Sequence, residues 1–242
     1  MCGRYATTRS SADLAALFEA ADETGGVLVP DYNVAPTDPT PVIRVSARAG
    51  GRVVSAARWG LVPPWAKDTR GAARMINARA ETVETSRAFA RPFAERRCLV
   101  PVDGWYEWVR DDAGGKQAYF MTPTDGGPLA LAGLWSVWGN AEQRVLTCTV
   151  LTTAAVDELA LVHHRMPLAL PPRRWAEWLS GRDVAAADLL APPPADLLAG
   201  LELRPVGARV GDVRNDGPEL IDRVPGRPLH RPADIDADLT LF

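Results

Sequence analysis

The sequence predicts a single α+β domain built around an antiparallel sheet or distorted β-barrel, with short flanking helices. Three observations predict it. Short runs rich in Val, Leu, Trp and Tyr recur along most of the chain, Gly, Pro and Asp turns separate them, and helical stripes are few and brief. A length of 242 residues with 47% apolar side chains is enough for one sizeable core. The domain is expected to span 1–225, with a loosely ordered Pro- and Asp-rich tail at 226–242.

Each element follows from local chemistry. Ser10-Ser11 ahead of Leu14, Leu17 and Phe18 gives an N-cap and an i, i+3, i+4 stripe, predicting a helix over 11–21. Asn33–Thr37 reads as loop. Strands are predicted at 41–46 and 52–59, joined by a hairpin at Ala49-Gly50-Gly51. Residues 60–80 contain Pro63-Pro64 and Gly71 and show no period, which predicts a long ordered loop of the kind that carries function. A short helix near 86–96 precedes strands at 97–101, 104–110, 117–122, 129–138 and 144–152, with Asp111–Gly115 as a hairpin turn. A helix is expected just before His163. Pro171-Pro172 opens another, in which Trp175, Trp178 and Leu179 share a face, and a last strand fits 201–206.

The composition narrows the functional classes. No apolar run reaches membrane-spanning length and no basic-then-apolar leader opens the chain, so a soluble, cytoplasmic, monomeric protein is expected, with no membrane partner. Cys2, Cys98 and Cys148 are widely spaced, without a CxxC or a histidine at zinc spacing, so neither a disulfide framework, a metal nor a cofactor is expected. Cys98 and Cys148 lie in strand-like runs and read as buried thiols. Net charge is −3, which argues against a generally basic nucleic-acid binder. Residues 1–110 nevertheless carry net +3, and Arg58–Arg79 holds five basic residues against Asp68 alone, with Trp59 and Trp65 interleaved. Cations for phosphates and aromatics for bases suit a single-strand surface, whereas tryptophans in the core with a solvated arginine rim would look the same.

Four further stretches carry chemistry. Removal of Met1 would leave Cys2 with an α-amine of pKa roughly 7.7–8.0 beside a thiol of roughly 8.5. Such an amine condenses with an aldehyde, and the adjacent thiol then closes a five-membered thiazolidine on the same carbon. In Gly104-Trp105-Tyr106-Glu107-Trp108, regular alternation puts Glu107 on the face of Trp105 and Val109, where burial would tune it for proton transfer; a solvated sheet edge is the alternative. His163-His164 holds two of the three histidines, either proton carriers or structural residues. Asn77–Thr82 alternates amide, guanidinium and carboxylate, a pattern that positions a polar ligand but also builds turns.

Together these stretches resemble the SOS-response-associated peptidase (SRAP) family. The matching segments are MCGRY (1–5), YNVAPT (32–37), RWGLVPPWA (58–66), NARAET (77–82), RCLVPVDGWYEW (97–108), AGLW (132–135), LTT (151–153) and HRMP (164–167) with His163 before it. Trp105 stands where the family more often has Phe. The resemblance implies capture of abasic sites in single-stranded DNA, in the DNA-damage response, by a thiazolidine between the mature N-terminal Cys2 and the sugar aldehyde. It assigns Asn77 to orienting the N-terminal residue and the sugar, Glu107 to proton transfer, and His163 to ring opening and crosslink reversal. Arg4 and Arg79 match phosphate-holding arginines, and Trp65 lies in the loop that packs on bases. Self-removal of Met1, a thiol-peptidase activity and an abasic-site lyase step belong to the same implication. An N-terminal-nucleophile cysteine amidohydrolase and a non-covalent reader of modified or single-stranded DNA are the alternatives.

Overall fold

The computed structural model describes residues 2–110, 115–140, 143–180, 185–226 and 229. In chain order the strands are β1 (Tyr5–Thr7), β2 (Ala21–Asp22), β3 (Asp31–Val34), β4 (Pro39–Ser46), β5 (Gly51–Trp59), β6 (Asn77–Arg79), β7 (Arg97–Val102) and β8 (Gly104–Arg110). They continue with β9 (Lys116–Pro123), β10 (Leu129–Gly139), β11 (Arg144–Ala154), β12 (Arg165–Pro167) and β13 (Leu201–Val206). The helices are short: α1 (Ser11–Leu17), α2 (Ala90–Glu95), α3 (Leu159–Val162), α4 (Trp175–Ser180), α5 (Ala186–Leu189) and α6 (Ala195–Ala199).

β5, β4, β7, β10 and β11 pair in succession as antiparallel neighbours. β11 then returns to β5 in parallel, Thr147 opposite Arg58 and Cys148 opposite Trp59, so five strands close into a mixed barrel. β6 and β12 extend β11, and β2 extends β5. A second, wholly antiparallel sheet runs β13–β9–β8–β1–β3. The expected α+β architecture is therefore present, with the closure made by a parallel pairing.

The two-residue period of the strands sorts the core. On β7, Cys98, Val100 and Val102 join a cluster with Tyr5, Trp105, Tyr119 and Met121 of the second sheet. Leu99 faces the other way, into a cluster with Leu14 and Phe18 around α1, Phe93 of α2 and Trp178 of α4. Cys98 and Cys148 are buried and free, as expected. Trp59 is completely buried, its ring 4.5 Å from that of Tyr5 and its indole N–H donating to the Ile76 carbonyl at 3.0 Å, so it belongs to the core and presents no surface to DNA.

Several boundaries differ from expectation. α1 stops at Leu17 because Glu19 takes a positive φ of 51° and the chain turns into β2. Asn33-Val34, expected as loop, ends β3, where Val34 pairs with Tyr5. The expected loop at 60–80 contains a 3-10 turn at Ala72–Arg74 and then β6. The helix near 86–96 is reduced to α2, since the backbone enters it only at Ala90. The expected turn at 111–115 lies outside the described residues except for Gly115. The tail lies outside them except for Gly226 and Leu229, which packs against the cluster of Tyr5 and Trp105. No described helix is long and apolar enough to cross a membrane.

Candidate active site

Two strands from different sheets meet at the N-terminus. Tyr5 pairs with Trp105, and the Tyr106 N–H donates to the Arg4 carbonyl at 2.9 Å, so the residues before Tyr5 run along β8 toward Glu107. On the barrel side, β6 lies parallel to β11 with Asn77 opposite Val150. From there the Asn77 side-chain Nδ2 donates to the Cys2 carbonyl at 2.7 Å. This bond joins the barrel to the second sheet at the residue that would become the N-terminus. The amide oxygen of Asn77 is buried and has no hydrogen-bond partner among the described residues.

Cys2 is fully buried, and burial, reinforced by the nearby negative charge of Glu107, pushes its thiol pKa far above the ordinary value. Glu107 is 5% exposed and burial raises its carboxyl pKa as well. β8 alternates as the sequence predicted: Trp105 and Val109 pack with Cys2, whereas Tyr106 and Trp108 pack on the opposite face. A carboxyl group whose neutral form is favoured, next to a neutral thiol, can both accept and return a proton.

His163 follows directly on α3, whose Leu159 and Val162 belong to the same cluster as Cys2 and which packs against β8. Its Nδ1 lies against the Arg165 backbone, 2.9 Å from the amide nitrogen and 3.1 Å from the carbonyl oxygen, which holds the neutral ring in place in either tautomer. Burial lowers the imidazole pKa, favouring that neutral form. His164 stacks on it at 4.3 Å but is itself exposed. Cys2, Asn77 and Glu107 are thus assembled around one point, and α3 docks His163 beside the strand that bears Glu107.

The remaining expected residues sit differently. Arg4 is half-buried, its Nη1 donating to Asn33 Oδ1 at 2.6 Å and to the Val210 carbonyl at 2.9 Å, with Trp108 under the guanidinium at 5.9 Å. Burial lowers its pKa while Asp38, Asp31 and Asp212 oppose that shift, so much of Arg4 is engaged by the protein itself. Arg79 is exposed at the end of β6, opposite Thr152. Trp65 is 52% exposed, and the Arg87 guanidinium lies 5.4 Å from its ring centre. The sequence did not single out Arg165, which grips Glu81 through both terminal nitrogens, at 2.5 and 2.9 Å, and also donates to the Thr152 carbonyl. It ties the Asn77–Thr82 segment to the histidine segment. The only sequence signal was that both motifs carry charge of opposite sign. Among the described residues no group of three or more His, Cys, Asp or Glu is gathered as metal ligands.

The family model described as SOS response associated peptidase (SRAP) matches residues 1–213. The chain belongs to the SRAP family. Among its relatives, the abasic site processing protein YoqW of Bacillus subtilis (strain 168) is 34% identical over 227 residues, which cover 92% of this chain and 99% of that protein. The abasic site processing protein YedK of Escherichia coli (strain K12) is 32% identical over 93% of this chain and 100% of its own length. The abasic site processing protein HMCES of Gallus gallus is 29% identical over 91% and 77%. A crystal structure of a protein from Bacteroides thetaiotaomicron shares the fold with a TM-score of 0.77 at 22% identity, covering 92% of this chain and all of that one. The SRAP match includes every residue of the assembled site, from Cys2 to His163.

Proposed function

We propose that this SRAP protein processes abasic sites in single-stranded DNA by covalent capture at Cys2. The observation that carries the proposal is the Asn77 amide holding the Cys2 carbonyl at 2.7 Å beside the buried Glu107 carboxyl. Once Met1 is removed, the Cys2 nitrogen is an amine. It adds to the sugar C1′ aldehyde, and loss of one water gives an imine. The thiol sulfur then bonds to the same carbon, its proton passing to the nitrogen, and the ring closes. The net change is one water released and no oxidation.

Asn77 fixes the carbonyl of the reacting residue, so amine and thiol keep one orientation through both steps. Glu107 accepts and returns the protons that the addition and dehydration move. His163, its imidazole pKa lowered by burial, serves sugar ring opening and reversal of the crosslink. Arg79 and Arg4 hold phosphates, and Trp65 supports a base.

Cys2 is fully buried in the unprocessed chain and its nitrogen is an amide there, so capture depends on removing Met1. Mixing protein with single-stranded DNA containing one abasic site should give an adduct stable on a denaturing gel. Cys2→Ala should abolish it, as should one extra residue retained ahead of Cys2, because the amine would then be an amide. A normal adduct from the extended protein would rule out the imine route.

A further inference from the structure

Beyond the capture site, a cavity of about 310 Å³ opens between the loop that carries Trp65 and the β10–β11 hairpin, lined by Pro64, Ala66, Trp138, Gly139, Asn140 and Gln143. The Trp138 indole N–H donates to the Ala66 carbonyl at 2.8 Å, latching loop to hairpin. The Gln143 backbone N–H donates to Asn140 Oδ1 at 3.0 Å. Gly139 permits the tight closure: at φ 106° a Cβ there would collide with the Gln143 carbonyl oxygen. Among the described residues the lining offers a large aromatic and two amide side chains.

We infer that this cavity binds one nucleobase of the DNA strand whose lesion Cys2 captures, an inference that rests on the function proposed above. Its volume is at the lower end of the ~300–1,000 Å³ span of small-molecule sites, enough for a single planar ring system. Trp138 supplies a stacking partner, and the Gln143 side-chain amide carries both a donor and an acceptor, the set that pairs with base edges. The position also fits a continuous track. β11 starts at Arg144 beside the cavity and reaches Val150 opposite Asn77, roughly 20 Å away at a rise of about 3.3 Å per residue. The cavity therefore takes a base several nucleotides from the lesion.

The test uses single-stranded oligonucleotides with a tetrahydrofuran residue at the lesion position, which has no aldehyde, and a second one walked along the strand. Equilibrium binding is read by fluorescence anisotropy, and crosslinking to a natural abasic site is measured separately. At one position away from the lesion's neighbours, the missing base should weaken binding about tenfold. Trp138→Leu should remove that penalty and Gln143→Ala should reduce it. The latter keeps the hairpin bond, which runs through the Gln143 backbone, so it remains informative should Trp138→Leu lower the melting temperature. A flat scan from a protein that crosslinks normally overturns the base site and leaves the proposed function standing, as does a sensitive position that neither variant alters. Absence of both binding and crosslinking overturns both.

Discussion

Replacing Asn77 isolates the contribution of one hydrogen bond to the capture reaction. Its Nδ2 donates to the Cys2 carbonyl at 2.7 Å in a setting where Cys2 is fully buried. Asn77→Ala leaves that carbonyl without its donor, a loss of about 1–3 kcal/mol for a buried group. If the bond persists in the transition state and is absent from the loose encounter complex, the crosslinking rate should fall about 5-fold to 150-fold. Asn77→Asp keeps the size and removes the donor, setting a carboxylate oxygen against the carbonyl oxygen, so its loss should sit at the upper end. The assay is single-turnover crosslinking at saturating DNA, quenched and resolved on a denaturing gel, with non-covalent affinity for a tetrahydrofuran oligonucleotide as control. Affinity should stay near wild type, because backbone pairing of β6 with β11 does not involve the side chain. A wild-type rate from Asn77→Asp would refute an orienting role.

Other consequences follow from burial and backbone geometry. Burial raises the folded-state pKa of Glu107 above 4.5, so wild-type stability should decline as pH rises from about 4.5 through the raised value. Glu107→Gln should flatten that part of a melting-temperature profile; an unchanged slope would show that Glu107 does not titrate there. Burial lowers the pKa of His163 below 6.5, so its imidazole should titrate below that value by NMR, and stability should fall as pH drops from 6.5 toward the lowered value, an effect absent in His163→Gln. A titration at or above 6.5 would contradict the buried neutral ring. Gly60, at φ 120°, has the Ala72 carbonyl where a Cβ would go, so Gly60→Ala should cost at least about 1–3 kcal/mol and lower the denaturation midpoint.

The sequence made the local features legible and left the long-range ones hidden. β8 could be read with its faces, since five residues of GWYEW suffice to set a period of two and to turn Glu107 inward. β7, β9, β10 and β11 were likewise visible as apolar runs. The strands β3, β6 and β12 were not, having only three or four residues each, too few to establish alternation. Barrel closure was hidden for a different reason: the parallel contact of Arg58 with Thr147 joins segments 89 positions apart, and nothing local announces it. Within the site, Cys2 was legible from its chemistry at the chain start. The two histidines could be separated only by resemblance, whereas in the fold His163 is half-buried with its Nδ1 engaged and His164 is exposed. Nothing local to Arg4 announced its ties to Asn33 and Val210, because those partners lie far along the chain.

β11 touches β5, β6, β10 and β12, so one eleven-residue strand both seals the cylinder and seats the asparagine that holds the Cys2 carbonyl. A slip of one register along it would invert every side chain at once. In rising denaturant the proposed capture of an aldehyde should therefore vanish together with the global unfolding transition.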